Sequence, residues 1–125
     1  MLIDDNEIDN LINQKMIEGS NFADHVYIHT SSKSALEFLH NLARSSDVPK
    51  SMIPSIVFLD INMPIMDGFQ FLDEYEKLNE EFRKDTKVIM LTSSVNPKDM
   101  EKAQYNNRVK TYINKPLSSV HLDTL

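Results

Sequence analysis

The chain contains no cysteine. That excludes a disulfide framework, a thiolate metal site and a cysteine nucleophile. Glycine occurs only twice, as Gly19 and Gly68, too few for a glycine-rich phosphate loop of the Walker or dinucleotide type. No aliphatic or aromatic run exceeds the four residues Ile56 to Leu59, far short of a membrane span. No signal peptide is visible at the N-terminus. Positive charge is in deficit: 13 Lys and Arg face 19 Asp and Glu, for a net charge of −6. Such a surface repels polyanions, which argues against nucleic acid as a partner. What remains is ordinary for one soluble globular domain: 125 residues, 41% hydrophobic and 26% charged. A chain of this length buries roughly two-thirds of its unfolded surface and needs no covalent staple. A single cytoplasmic domain over residues 1–125 is the expectation.

The hydrophobic period switches repeatedly along the chain. Leu2 and Ile3 read as the end of a short strand, with Asp4 and Asp5 directly after it. Ile8, Leu11, Ile12 and Met16 recur at helical spacing and predict an amphipathic helix over 7–18. Gly19 to Asn21 suits its stop. His25 to His29 reads as a strand, and Ala35, Leu36, Leu39, Leu42 and Ala43 as a second helix. Ser45 to Pro54 reads as a loop. Ile56 to Leu59 is a buried strand ending at Asp60, followed by a helix marked by Phe71, Leu72, Tyr75 and Leu78. Val88 to Leu91 is another buried strand, ending at Thr92. Asn96 then Pro97 is a helix start, with Met100 and Ala103 expected to face inward. Val109 to Ile113 is a fifth strand, and Ser118 or Ser119 caps a fifth helix. The first strand and the last helix read as cut short.

Strand and helix thus alternate five times. That pattern predicts an α/β fold: a doubly wound, five-stranded parallel sheet with helices on both faces. In such sheets the site lies beyond the carboxyl ends of the strands. The residues there are Asp4, Asp5, Asp60, Thr92 and Lys115. Each alone is an ordinary turn or cap residue; five at strand ends in one consistent fold point to a site. Carboxylates crowded together repel one another unless a cation relieves them. Mg²⁺, or Mn²⁺, suits an all-oxygen set better than Zn²⁺ does. His25, His29, His40 and His121 show no metal-like grouping with these acids. A divalent ion beside an ammonium clamps a phosphoryl group, and an Asp can then be the nucleophile. Asp60 is the best candidate, because it follows the central-looking strand.

This constellation resembles the receiver domain of two-component response regulators, whose fold is flavodoxin-like. The matching stretches are Leu2 to Asn6, Phe58 to Gly68, Met90 to Ser94 and Tyr112 to Pro116. The resemblance implies that Asp60 accepts the phosphoryl group. It implies Asp5, Asp60 and the main-chain carbonyl of Asn62 as metal ligands, with Asp4 acting through water. Lys115 becomes the ion-pair partner of the phosphate, Thr92 the hydroxyl that moves onto it and Tyr112 the coupled aromatic switch. Ser93 is a small neighbour that leaves the phosphate approachable, and Lys115–Pro116 is expected to be cis. The implied partners are a histidine kinase or phosphotransfer protein and a downstream protein. The latter would meet the face of the fourth and fifth strands and the helices near them; a phosphorylation-dependent homodimer is the other option. No membrane or nucleic-acid partner is implied, and no enzymatic turnover beyond phosphoryl acceptance and slow autodephosphorylation.

Two other readings compete. Haloacid-dehalogenase-type phosphohydrolases also place a nucleophilic Asp at a strand end. They need a second Asp two residues later as general acid, where this chain has Asn62. A pseudo-receiver acting as a constitutive binding module would lack pocket residues, whereas all five are here. The chain also departs from the family pattern. Its stretch between Asp5 and Asp60 is longer, with the surplus at 44–54. Before the last strand it has Arg108 and Val109 where the family often has Gly-Ala, and Asn106 and Asn107 are expected to supply a left-handed turn instead.

Overall fold

The computed structural model describes residues 1–125. Five strands form one parallel sheet in the order β2-β1-β3-β4-β5. They are β1 (Leu2–Ile3), β2 (Ile28–His29), β3 (Ile56–Leu59), β4 (Lys87–Thr92) and β5 (Val109–Asn114). This is the flavodoxin-like doubly wound order, which reverses direction between β1 and β3. The helices are α1 (Glu7–Gly19), α2 (Ser32–Arg44), α3 (Gly68–Tyr75), α4 (Glu80–Arg83), α5 (Pro97–Tyr105) and α6 (Ser119–Asp123). None is long and apolar enough to cross a membrane.

Side chains alternate across a strand, so a sheet covered on both faces needs apolar residues at every position. Ile3, Val57, Leu59, Val88 and Met90 point to one side, where they meet α2, α3 and Ala103 of α5. Leu2, Phe58, Ile89, Leu91 and Ile113 point to the other, where they meet Ile17 of α1 and Leu122 of α6. Helices therefore cover both faces, as the alternating pattern predicts.

Several elements differ from those the periodicity predicts. The second strand shrinks from 25–29 to Ile28–His29, because its partner β1 is itself only two residues long. A single 3-10 turn, Lys50–Met52, interrupts the predicted loop. The third helix stops at Tyr75, before Leu78, and a short extra helix α4 follows. Its signals are local: Asn79 caps the Glu81 amide at 2.8 Å, Glu80 and Glu81 open it and Arg83 closes it. The helices predicted as fourth and fifth are therefore α5 and α6. Met100 does not face inward; it is 45% exposed, and Ala103 alone carries the α5 contact with the core. Asn106 and Asn107 do not turn left-handed. Asn106 has φ −88° and accepts the Arg108 amide through its side chain at 2.9 Å. The positive-φ residues are Asn21 and Ile65.

The largest correction concerns α1. Ile8, Leu11 and Ile12 are 70%, 53% and 48% exposed, and the buried face is instead Asn10, Asn13 and Ile17. This inner face is polar because it packs on the rim of the site. The Asn10 amide donates to the Asp4 carbonyl at 2.8 Å, and Asn13 Oδ1 accepts the Leu117 amide at 3.1 Å.

Gly68 opens α3 under the main chain of the site. A Cβ there would collide with the carbonyl oxygen of Asp60 and stand 3.0 Å from Ile61 Cα. Both obstacles are backbone and cannot swing away. Gly68→Ala is expected to lower stability by about 3 kcal/mol, read as an earlier urea midpoint with unchanged slope. A stability within 0.5 kcal/mol of the native chain, roughly the scatter of neutral surface changes, would count against this packing.

Candidate functional site

The parallel ladder runs one residue past the strands and fixes the chemistry-bearing residues in register. The Asp4 amide donates to the His29 carbonyl at 3.1 Å, Asp60 to Ile3 at 3.0 Å and Lys115 to Thr92 at 2.9 Å. Asp4, Asp5, Asp60, Thr92 and Lys115 thus meet at one edge of the sheet. The crevice lies where the strand order reverses, between β1 and β3, with the acid pair after one strand and Asp60 after the other.

Asp4 and Asp60 are buried, Thr92 is fully buried and Asp5 is exposed. Each of the three acids offers a carboxylate oxygen, and these oxygens all lie within 4.8 Å of one another. The donor set is oxygen only. It fits a hard divalent cation such as Mg²⁺ or Mn²⁺ and offers nothing to a softer metal. No histidine joins the group. The Lys115 ammonium stands against it, 2.5 Å from Asp4 Oδ2, 2.9 Å from Asp9 Oδ2 and 3.5 Å from Asp60 Oδ2. Its peptide bond to Pro116 is cis.

The remaining polar groups are held by short local bonds. Asp4 Oδ1 accepts the Asn6 amide, and Asp60 Oδ1 accepts the Ile61 amide, both at 2.9 Å. Burial pushes the Asp60 carboxyl above its ordinary range; the nearby Thr92 hydroxyl opposes this, the Asp4 charge adds to it, and Lys115 and the Ile61 amide oppose it. Burial works against the Lys115 ammonium, yet the close contacts with Asp4 and Asp9 and the charges of Asp60 and Asp4 raise its pKa. The ammonium is therefore a fixed positive charge near neutral pH.

Thr92 Oγ1 accepts the Ser94 amide at 3.2 Å. The Ser94 carbonyl in turn accepts the Tyr112 hydroxyl at 2.8 Å and the Asn114 side-chain amide at 3.2 Å. Ser94 therefore stands between Thr92 and Tyr112. Ser93 and Asn62 are exposed, Asn62 in the loop leading to α3. Sequence reasoning missed Asp9, Asn13, Ser94 and Asn114. Asp9 carried a weak signal, as an acid in the first turn of the helix that directly follows Asp4 and Asp5. Nothing local marks the other three.

The model of the response regulator receiver domain family matches residues 1–125. The chain belongs to that family. It is similar to response regulator Rcp1 of Synechocystis, at 28% identity over 115 residues, 92% of this chain and 74% of that protein. Among solved structures, a two-component response regulator from Cytophaga hutchinsonii shares 30% identity with a TM-score of 0.85, covering 98% of this chain and 89% of that one. A response regulator receiver protein from Dyadobacter fermentans shares 26% identity with a TM-score of 0.83, covering 98% and 90%. Receiver domains accept phosphoryl groups in two-component signalling and interact with histidine kinases or phosphotransfer proteins. They bind Mg²⁺ at an acidic pocket and are not enzymes in the ordinary sense.

Proposed function

We propose that residues 1–125 form one receiver unit, a phosphorylation-controlled switch in which Asp60 takes a phosphoryl group from a histidine kinase or phosphotransfer protein in the cytoplasm. The observation that carries this reading is the meeting of the Asp4, Asp5 and Asp60 oxygens within 4.8 Å, with the Lys115 ammonium against them. Asp5, Asp60 and the Asn62 carbonyl would hold Mg²⁺ or Mn²⁺ directly, and Asp4 through water. When bound, the ion supplies positive charge that offsets the phosphoryl oxygens.

The chain's own residues do the rest. A carboxylate oxygen of Asp60 attacks phosphorus, and the bond to the donor breaks with its electron pair leaving on the donor atom. Phosphoryl transfer asks mainly for positioning and charge neutralisation, so no general acid is needed when the leaving group is a good one. That suits the presence of Asn62 two residues after Asp60. Lys115 pairs with one phosphoryl oxygen and the Thr92 hydroxyl donates to another. Ser93, small and exposed, leaves the approach open.

Moving a two-state element from mostly off to mostly on needs about 5.5 kcal/mol. A charge-assisted hydrogen bond contributes roughly 1.5–3 kcal/mol. New bonds from Thr92, Lys115 and a main-chain amide reach that sum. Thr92 is bonded to Ser94, whose carbonyl receives Tyr112, so a Thr92 shift is felt at Tyr112. The output surface is the face of β4, β5, α5 and α6, where Val95, Tyr105 and Val120 are exposed. A downstream protein or a second copy would read it.

The test is direct. With Mg²⁺ and a small acyl-phosphate donor the chain is expected to gain one acid-labile phosphoryl group, seen by intact mass. No incorporation at millimolar donor and Mg²⁺, or brisk multiple turnover of ordinary phosphate esters, would overturn the reading.

A further inference from the structure

Lys115 has three N–H donors and no acceptor. All three have a carboxylate within reach: Asp4 at 2.5 Å, Asp9 at 2.9 Å and Asp60 at 3.5 Å. A phosphoryl oxygen arriving on Asp60 competes with them for the ammonium, whose hydrogen bond goes to Asp9 and whose contacts with Asp4 and Asp60 are ion pairs. The choice follows from solvation. Asp4 is 6% exposed at its side chain, so leaving it unpaired strands a buried charge. Asp60 carries the incoming group itself. The Asp9 side chain is 33% exposed, so water takes over its hydration when the ammonium leaves.

A second contact prepares the exchange. Asn13 is buried on the same face of α1, and its Oδ1 accepts the Leu117 amide at 3.1 Å. The main chain just beyond Lys115 is thereby pinned to α1. Asp9 and Asn13 together latch the loop after β5 onto the helix: one holds a side chain, the other the backbone. The side chain can swing while the backbone stays.

The geometry points to Asp9 as a positioning residue that holds the Lys115 ammonium on the α1 side of the pocket and gives it up when a phosphoryl group binds at Asp60. This rests on the function proposed above, and it adds a competitor that the phosphoryl group must outbid. Without the Asp9 charge the competition weakens and the phosphoryl-bound state gains.

The probe is beryllium fluoride with saturating Mg²⁺, a mimic of the aspartyl phosphate. Asp9→Asn is expected to tighten its binding about five-fold, because an uncharged amide oxygen holds the ammonium by about 1 kcal/mol less than a partly exposed carboxylate does. Asp9→Glu, which keeps the charge, is expected to stay within about two-fold of the native chain. Glu7→Gln removes an exposed charge from the same helix without touching Lys115, and is expected to stay within about two-fold as well. In the native chain the Asp9 carboxyl carbon resonance is expected to shift on adding the probe, while the Leu117 amide keeps its exchange protection. Binding by Asp9→Asn that is unchanged or weaker overturns the inference, as does a motionless Asp9 resonance. Equal tightening by Glu7→Gln also overturns it, because the effect would then be general charge. If the native chain binds no beryllium fluoride at all, the underlying function fails first and the inference falls with it.

Discussion

Asp60→Asn is expected to take up no acid-labile phosphate under conditions expected to label the native chain with one group. The amide nitrogen cannot attack phosphorus, and no other carboxylate replaces Asp60. Asp4 is held by Lys115 and the Asn6 amide, and Asp5 stands at the exposed rim. The expected loss is therefore complete rather than partial, and full labelling of the variant would refute the assignment. The same substitution has an opposite effect on stability. Burial, aided by the Asp4 charge, holds the Asp60 carboxyl above its ordinary value of 3.8. An acid whose folded pKa is raised is penalised when ionised; that penalty is complete above the folded pKa and vanishes below the unfolded one. The variant, free of it, is expected to melt higher than the native chain at pH 7 without divalent ions. The difference should close as pH falls towards 3.8. A variant that melts lower at neutral pH would show that the lost Lys115 contact outweighs the relieved burial.

Lys115→Ala separates binding from switching. It removes a cation that competes for the same carboxylates, so Mg²⁺ affinity is not expected to fall. It also leaves the buried acids Asp4 and Asp60 without their ammonium. Breaking one side of a buried pair costs about 3–5 kcal/mol, so the metal-free variant is expected to unfold at markedly lower urea. Added Mg²⁺ should restore much of that loss, since a ligand of the folded state stabilises it by mass action. With the clamp gone, phosphorylation should no longer move the Thr92 and Tyr112 resonances. Native-like shifts in this variant would remove Lys115 from the switch. Stability unaffected by its loss would contradict the buried geometry.

Much of this site is legible in the amino-acid sequence. A parallel strand buried on both faces reads as an unbroken apolar run, so Ile56 to Leu59 and Val88 to Leu91 announce themselves, and the first polar residue after each marks the sheet edge. Asp60 and Thr92 follow from that pattern alone. The face of α1 does not. Ile8, Leu11 and Ile12 form an apolar stripe at helical spacing and yet face solvent, while Asn10 and Asn13 turn inward. Periodicity reports which residues share a face, not what that face packs against. Here it packs against a polar rim whose members, Asp4 and Leu117, lie far apart in the chain. Met100 fails for a related reason: α5 is anchored to the core through Ala103, and the stripe around it has no partner.

The residue types and their order determined the fold class, the strand ends and the acids that meet there, because burial forces apolar runs and charge must stop them. Only the tertiary structure decided how the ammonium of Lys115 is shared among three carboxylates, and that Asp9 is one of them. It also decided that Ser94 joins Thr92 to Tyr112. Those bonds join positions up to 106 residues apart, and hydrogen bonding is set by ångströms in space, which no local pattern in a chain encodes.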